Sequence, residues 1–166
     1  MQYLWINPVS AGMCEEDSLK RFLERHGLTR VECRGDWGRI VRERYEASLR
    51  AGVTLADARC PEAVRLLEEI QKEPENESGI ENLKVAPIEP ILLHCARELS
   101  TRPDLAHGEK IITTPCQSLA VLGNLLGLEN TRFIAWNRLA GGEVRVRAIE
   151  DSPIPPGYFA GICRKD

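Results

Sequence analysis

The sequence predicts an α/β fold: an open, mostly parallel sheet of about four to five strands with helices on both faces, layered α/β/α. Three observations carry that expectation. Short β-like runs alternate with helical stretches along the chain, the pattern that a parallel sheet and its crossover helices require. The helical stretches carry apolar residues at helical spacing and stop at glycines. The chain has 166 residues with 43% hydrophobic and 28% charged, which suits one globular domain over residues 1–166 with a core of its own.

The elements follow in order. The first strand is expected at Gln2–Ile6, then a helix over Glu15–His26 with Leu19, Phe22 and Leu23 on one face and Gly27 as its stop. A second strand is expected near Arg30–Cys33. Asp36 is a fitting N-cap for a helix that turns Ile40, Val41, Tyr45 and Leu49 inward. A short third strand, Val53–Ala58, leads to Cys60-Pro61, where Pro61 suits a first helical position because it has no N–H to satisfy. Ala63, Val64, Leu67 and Ile70 mark the expected buried face of that helix. Lys72–Glu81 is acidic and broken by Pro74 and Gly79, so it reads as a solvated loop. A helix over Ile88–Leu99, a fourth strand at Lys110–Thr114, a helix after Pro115-Cys116 and a fifth strand at Arg132–Trp136 follow. A Gly141-Gly142 turn precedes a last strand at Val144–Ile149, and the tail rich in Pro and Gly is irregular.

Composition excludes several function classes. A net charge of -3 offers no basic footprint for nucleic acid or an anionic membrane. No apolar run approaches the roughly 20 residues of a membrane span, and the opening residues Tyr3-Leu4-Trp5-Ile6 lack the flanks of a signal peptide. The expectation is a cytoplasmic protein. Neither G-x-G-x-x-G nor G-x-x-x-x-G-K-[ST] occurs, so there is no nucleotide signature.

Six cysteines occur without a C-x-x-C pair, which removes the zinc-ribbon and thioredoxin patterns and makes reduced thiols the default. In open α/β sheets, ligands bind beyond the carboxyl ends of the strands. Cys14, Cys60 and Cys116 follow the first, third and fourth expected strands, each in a strand-to-helix connection. Helix N-termini there favour the thiolate, the form that ligates metal or attacks an electrophile. Cys33, at a strand end, and Cys95, mid-helix beside Ile91, Leu92 and Leu99, are expected to fill space. None of His26, His94 and His107 adjoins a candidate cysteine in sequence, so a Cys–His catalytic pair is not indicated.

At these cysteines the sequence resembles the large-subunit catalytic domain of iron-only hydrogenases. That family carries a strand ending in T-S-C-C-P and, later, a strand ending in M-P-C-T-x-K-K. Here the corresponding stretches are Asp57-Ala58-Arg59-Cys60-Pro61 and Thr114-Pro115-Cys116-Gln117-Ser118-Leu119. Cys116 follows Cys60 by 56 residues, close to the family's separation. Asn7-Pro8-Val9-Ser10 resembles the A-P-[AS] turn that lines the cluster cavity, and Ser18–Gly35 is similar to the helix and strand upstream. Arg132–Leu139 and Glu150-Asp151-Ser152 are similar to the segments downstream of the second cysteine. The likeness runs colinearly over most of the chain and rests on order and spacing.

The resemblance implies an iron–sulfur cluster with Cys60 and Cys116 as ligands, Cys14 and Cys163 as candidates for the remaining two, and Pro8, Ser10, Arg59 and Gln117 around the cofactor. A homodimer or another redox subunit is the alternative source of the missing ligands. The departures argue against dihydrogen chemistry. Arg59 replaces the family's proton-relay cysteine, and a guanidinium does not shuttle protons near neutral pH. Leu119 replaces the lysine that contacts the diiron cyanide, and the distal C-x-x-x-C pair is reduced to Cys163 alone. The expected function is an iron–sulfur-binding or redox accessory protein. The alternatives are an interaction module that has lost the cluster, and a thiol enzyme or small-ligand binder at the strand ends. For the last, Thr114-Pro115-Cys116-Gln117 also resembles a T-P-C-Q segment in beta subunits of deazaflavin-reducing hydrogenases.

Overall fold

The computed structural model describes residues 1–49, 53–56, 58, 60–72 and 83–147. They cluster into two compact units, one built from residues 1–35 and 92–147 and the other from residues 36–91. Among the described residues no helix is long and apolar enough to cross a membrane.

The first unit carries a four-stranded, wholly parallel sheet. Its strands are β1 (Gln2–Trp5), β2 (Leu28–Arg30), β5 (Glu109–Thr114) and β6 (Thr131–Ala135), in the order β2-β1-β5-β6. The register sets Leu4 beside Ile111 and Ile112 beside Phe133. Because side chains alternate across a strand, this register assigns each residue to a face. Leu4, Ile6, Ile111 and Ile134 share one face, where they pack with Leu19 and Phe22 of α2 (Glu16–Arg25). Trp136 of α7 (Trp136–Ala140) joins them, its ring edge-on to Phe22 at 5.9 Å. Trp5, Ile112 and Phe133 lie on the other face, where α6 (Gln117–Leu125) lays Gly123 flat against the Phe133 ring with no room for a Cβ. Helices therefore cover both faces, as the sequence predicts. β5 is central and is buried from Lys110 to Thr114. On the open edge of β6, the Asn124 amide takes the place of a further strand: it donates to the Phe133 carbonyl and accepts from the Phe133 N–H.

The second unit is a small βαβ arrangement with a preceding helix. α3 (Trp37–Ser48) starts at Asp36, whose carboxylate accepts from the Arg39 N–H, the cap expected from sequence. β3 (Thr54–Ala56) and β4 (Leu83–Val85) pair in parallel, with α4 (Pro61–Lys72) between them in sequence. Val41, Ala86 and Ile88 form its core, with Tyr45 and Ile91 packed alongside.

Several boundaries differ from the sequence expectation, each for a local reason. Asn7-Pro8 opens a helix, α1 (Pro8–Met13), where a turn is expected. Its Asn7 side chain accepts from Val9 and Pro8 fills the first helical position, but six residues are too few to show an apolar period. β2 begins directly at Leu28 because Gly27, at φ +61°, ends α2 in one residue. α5 (Ile91–Thr101) starts three residues later than expected, since a residue before proline is pushed out of helical geometry and Pro90 follows Glu89. β4 falls where no strand is expected, and α7 takes up Trp136. Of the expected final strand, the described residues show one antiparallel bridge, Val146 to Cys14; residues 148 and 149 lie outside the described residues. On α4 the expected inward face of Ala63, Val64, Leu67 and Ile70 is not buried. Periodicity creates an apolar stripe, but two three-residue strands give it little surface to pack on.

Candidate functional site

The strand order reverses between β1 and β5: from β1 the chain moves outward to β2, and from β5 it moves outward to β6. Connections leave such a pair in opposite directions, and open α/β sheets bind their ligands at the carboxyl ends of such a pair. Residues Asn7 to Ser10 leave β1 there, and Thr114 to Gln117 leave β5. Asn7 N–H donates to Thr113 Oγ1 at 2.9 Å, which ties the two strand ends together.

Four of the sequence-predicted residues gather at these two strand ends. Pro8 is exposed at the first position of α1, and Ser10, two residues on, is buried. Cys116 is half-buried as the N-cap of α6 and makes no side-chain capping bond; its carbonyl accepts from Thr114 Oγ1 at 2.6 Å. Gln117 is exposed at the first helical position. Leu119 packs into the core at 4% exposure.

The other predicted ligands are placed differently. Cys14 follows α1 and is 2% exposed among Leu4, Ile6 and Leu19, with its thiol donating to the Ser10 carbonyl at 3.1 Å. Burial pushes this thiol upward, against the opposing pull of Arg30 and Arg147. Cys60 is exposed at the start of α4, where its carbonyl takes the Val64 N–H, and it belongs to the unit of residues 36–91. Arg59 and Cys163 lie outside the described residues. Among the described residues no three cysteine, histidine or acidic side chains gather to hold a metal ion.

A cleft of about 320 Å³ lies in the first unit, and Cys14 is among its lining residues. Ile6, Pro8, Gly12, Arg30, Glu32 and Arg147 form much of its wall. Its charges are largely spent on one another or on the backbone: Arg30 pairs with Glu32 at 2.8 Å, and Arg147 donates to the Cys14 carbonyl at 3.3 Å. The sequence gives no sign of this cleft, because Arg30 and Arg147 reach it from segments more than a hundred residues apart.

Comparison with protein-family models, curated proteins and solved structures finds no match.

Proposed function

We propose that this chain is a small-ligand protein of redox-accessory type. Its working site is the crevice between the carboxyl ends of β1 and β5, and its reactive group is the Cys116 thiol. The observation that supports this reading is the reversal of strand order at that point, with a half-buried, uncapped Cys116 at the start of α6. Pro8 and Ser10 on one side and Gln117 on the other frame the ligand, and Asn7 fixes the spacing of the two walls through Thr113. A buried leucine where the hydrogenases need a lysine argues against hydrogenase activity.

A second reading keeps the iron–sulfur cluster and draws ligands from a second copy or another redox subunit. It is favoured by the matching placement of Cys60 and Cys116. Each follows a parallel strand, opens a helix and is reachable by solvent.

Anaerobic incubation with iron and sulfide, followed by residue-resolved alkylation with iodoacetamide near neutral pH, separates the readings. The expected result is no retained iron and alkylation of Cys116 at least about tenfold faster than that of buried Cys14. Retained iron with Cys60 and Cys116 both protected favours the cluster reading instead. Alkylation of Cys116 as slow as that of Cys14 in iron-free protein removes the crevice reading.

A further inference from the structure

Cys33 and Cys95 stand 62 residues apart in the chain and meet in the first unit. The Cys33 thiol, in the segment after β2, points to the Cys95 carbonyl on α5, with 3.9 Å between Sγ and O. The neighbouring Cys33 side chain, then burial and the charge of Glu98, push the Cys95 thiol well above the usual thiol range. Cys95 is 4% exposed and Cys33 half-buried, so solvent reaches the contact from the Cys33 side.

The segment around Cys33 is fastened to the helix that carries Cys95. Glu98, three residues on from Cys95, accepts from the Arg34 N–H at 2.6 Å and from the Gly35 N–H at 3.0 Å. On the other side of Cys33, Arg102 donates to the Glu32 carbonyl at 2.7 Å. Asp104 then holds both Arg102 and Arg34, at 2.6 and 3.2 Å. A thiol held 3.9 Å from the carbonyl of the second cysteine, with the backbone pinned on both sides of it, is pre-organised for bond formation, because the entropy of bringing the two residues together has already been lost on folding.

We propose that Cys33 and Cys95 form a reversible dithiol–disulfide pair whose oxidant is a small disulfide of the glutathione type. The Cys33 thiolate attacks one sulfur of the small disulfide, forming a mixed disulfide and releasing one small thiolate. Cys95 gives its proton to water and attacks the Cys33 sulfur, expelling the second small thiolate. Two protein thiols are oxidised to one disulfide, and one small disulfide is reduced to two small thiols. The chain enters residues 36–91 just after Cys33 and leaves them just before Cys95. Oxidation therefore closes that whole segment into a covalent loop and restricts its unfolded state.

The test uses the full chain, equilibrated anaerobically in glutathione buffers of graded redox poise, trapped with N-ethylmaleimide and cut with trypsin. The relevant peptides are Val31–Arg34 and Val85–Arg97. The expected result is one linked species, about 2 Da lighter than the two free peptides together. The oxidised chain is also expected to melt several degrees higher, with dithiothreitol reversing the shift. Cys33→Ser abolishes both signals, and Cys14→Ser leaves the linked species unchanged. Cys95→Ala stalls the reaction at the mixed disulfide on Cys33; if that variant does not fold, Cys33→Ser at its half-buried position carries the test. Full alkylation of both peptides in the most oxidising buffer overturns the proposal. So does Cys33 linked only to glutathione, or to a different cysteine, in the unmutated chain.

Discussion

In the four-stranded unit, β5 is buried from Lys110 to Thr114, whereas α4, in the unit of residues 36–91, buries none of its residues. The difference follows from what each element has to pack against. β5 lies between β1 and β6 with helices over both sheet faces, so its two sets of side chains are both enclosed. α4 belongs to a unit whose strands are three residues long, and its Leu66 is 48% exposed. Its order leans on Arg65, which pairs with Glu62 and Glu69 along the helix surface. Such pairs are worth only about 0.2–0.5 kcal/mol each, far less than one enclosed aliphatic side chain. The contrast implies that α4 opens at lower free energy than β5. A reversible link between Cys33 and Cys95 would enclose α4 in its loop.

The largest expected effect is in the sheet. Ile112→Ala, at a position with no exposure, should cost about 2–5 kcal/mol, while Leu66→Ala should stay within about 0.5 kcal/mol. Denaturant titration of both variants checks this, and similar losses from the two would break the comparison. Next in size is Gly123→Ala. The new methyl would meet the Phe133 ring, for an expected loss of about 1–3 kcal/mol. Combining it with Phe133→Leu should recover part of the loss, whereas strict additivity would mean that α6 does not rely on that close approach.

The smallest effect is electrostatic and sharpens the picture of the clamp around Cys33. The Arg102 hydrogen bond, with Arg34 adding its charge, holds Asp104 from an ordinary value near 3.8 down to about 2. A carboxylate depressed in the folded state contributes fully above its unfolded pKa, and that contribution fades as pH falls toward the folded one. Thermal melts between about pH 4 and about pH 2 should therefore fall less steeply for Asp104→Asn than for the unmutated chain. Equal slopes would remove Asp104 from the network that positions the loop. The group is exposed, so the difference is expected to be small.

Much of the fold is legible in the sequence because its signals are local. Asp36 caps α3, Gly27 stops α2, Pro61 opens α4, and the apolar spacing of Leu19 and Phe22 marks the face that meets the sheet. The positions of Pro8, Cys116 and Gln117 at strand ends are legible for the same reason, since a strand-to-helix connection announces itself in a few residues. What escaped was the short α1, the strand β4 and the exposure of α4, where few residues or a missing partner surface leave no periodic trace.

The sequence by itself determined the alternation of strands and helices, and with it a parallel α/β sheet with thiols near its carboxyl edge. Only the tertiary structure decided which thiols share surroundings. Cys14, expected at the site, is enclosed by Leu4, Ile6 and Leu19, while Cys33 and Cys95, expected to be separate fillers, adjoin each other. Propensity and spacing act over a handful of residues, but strand order and register are set by burial across the whole chain. A contact 62 residues long leaves no mark on either neighbourhood until that burial is complete.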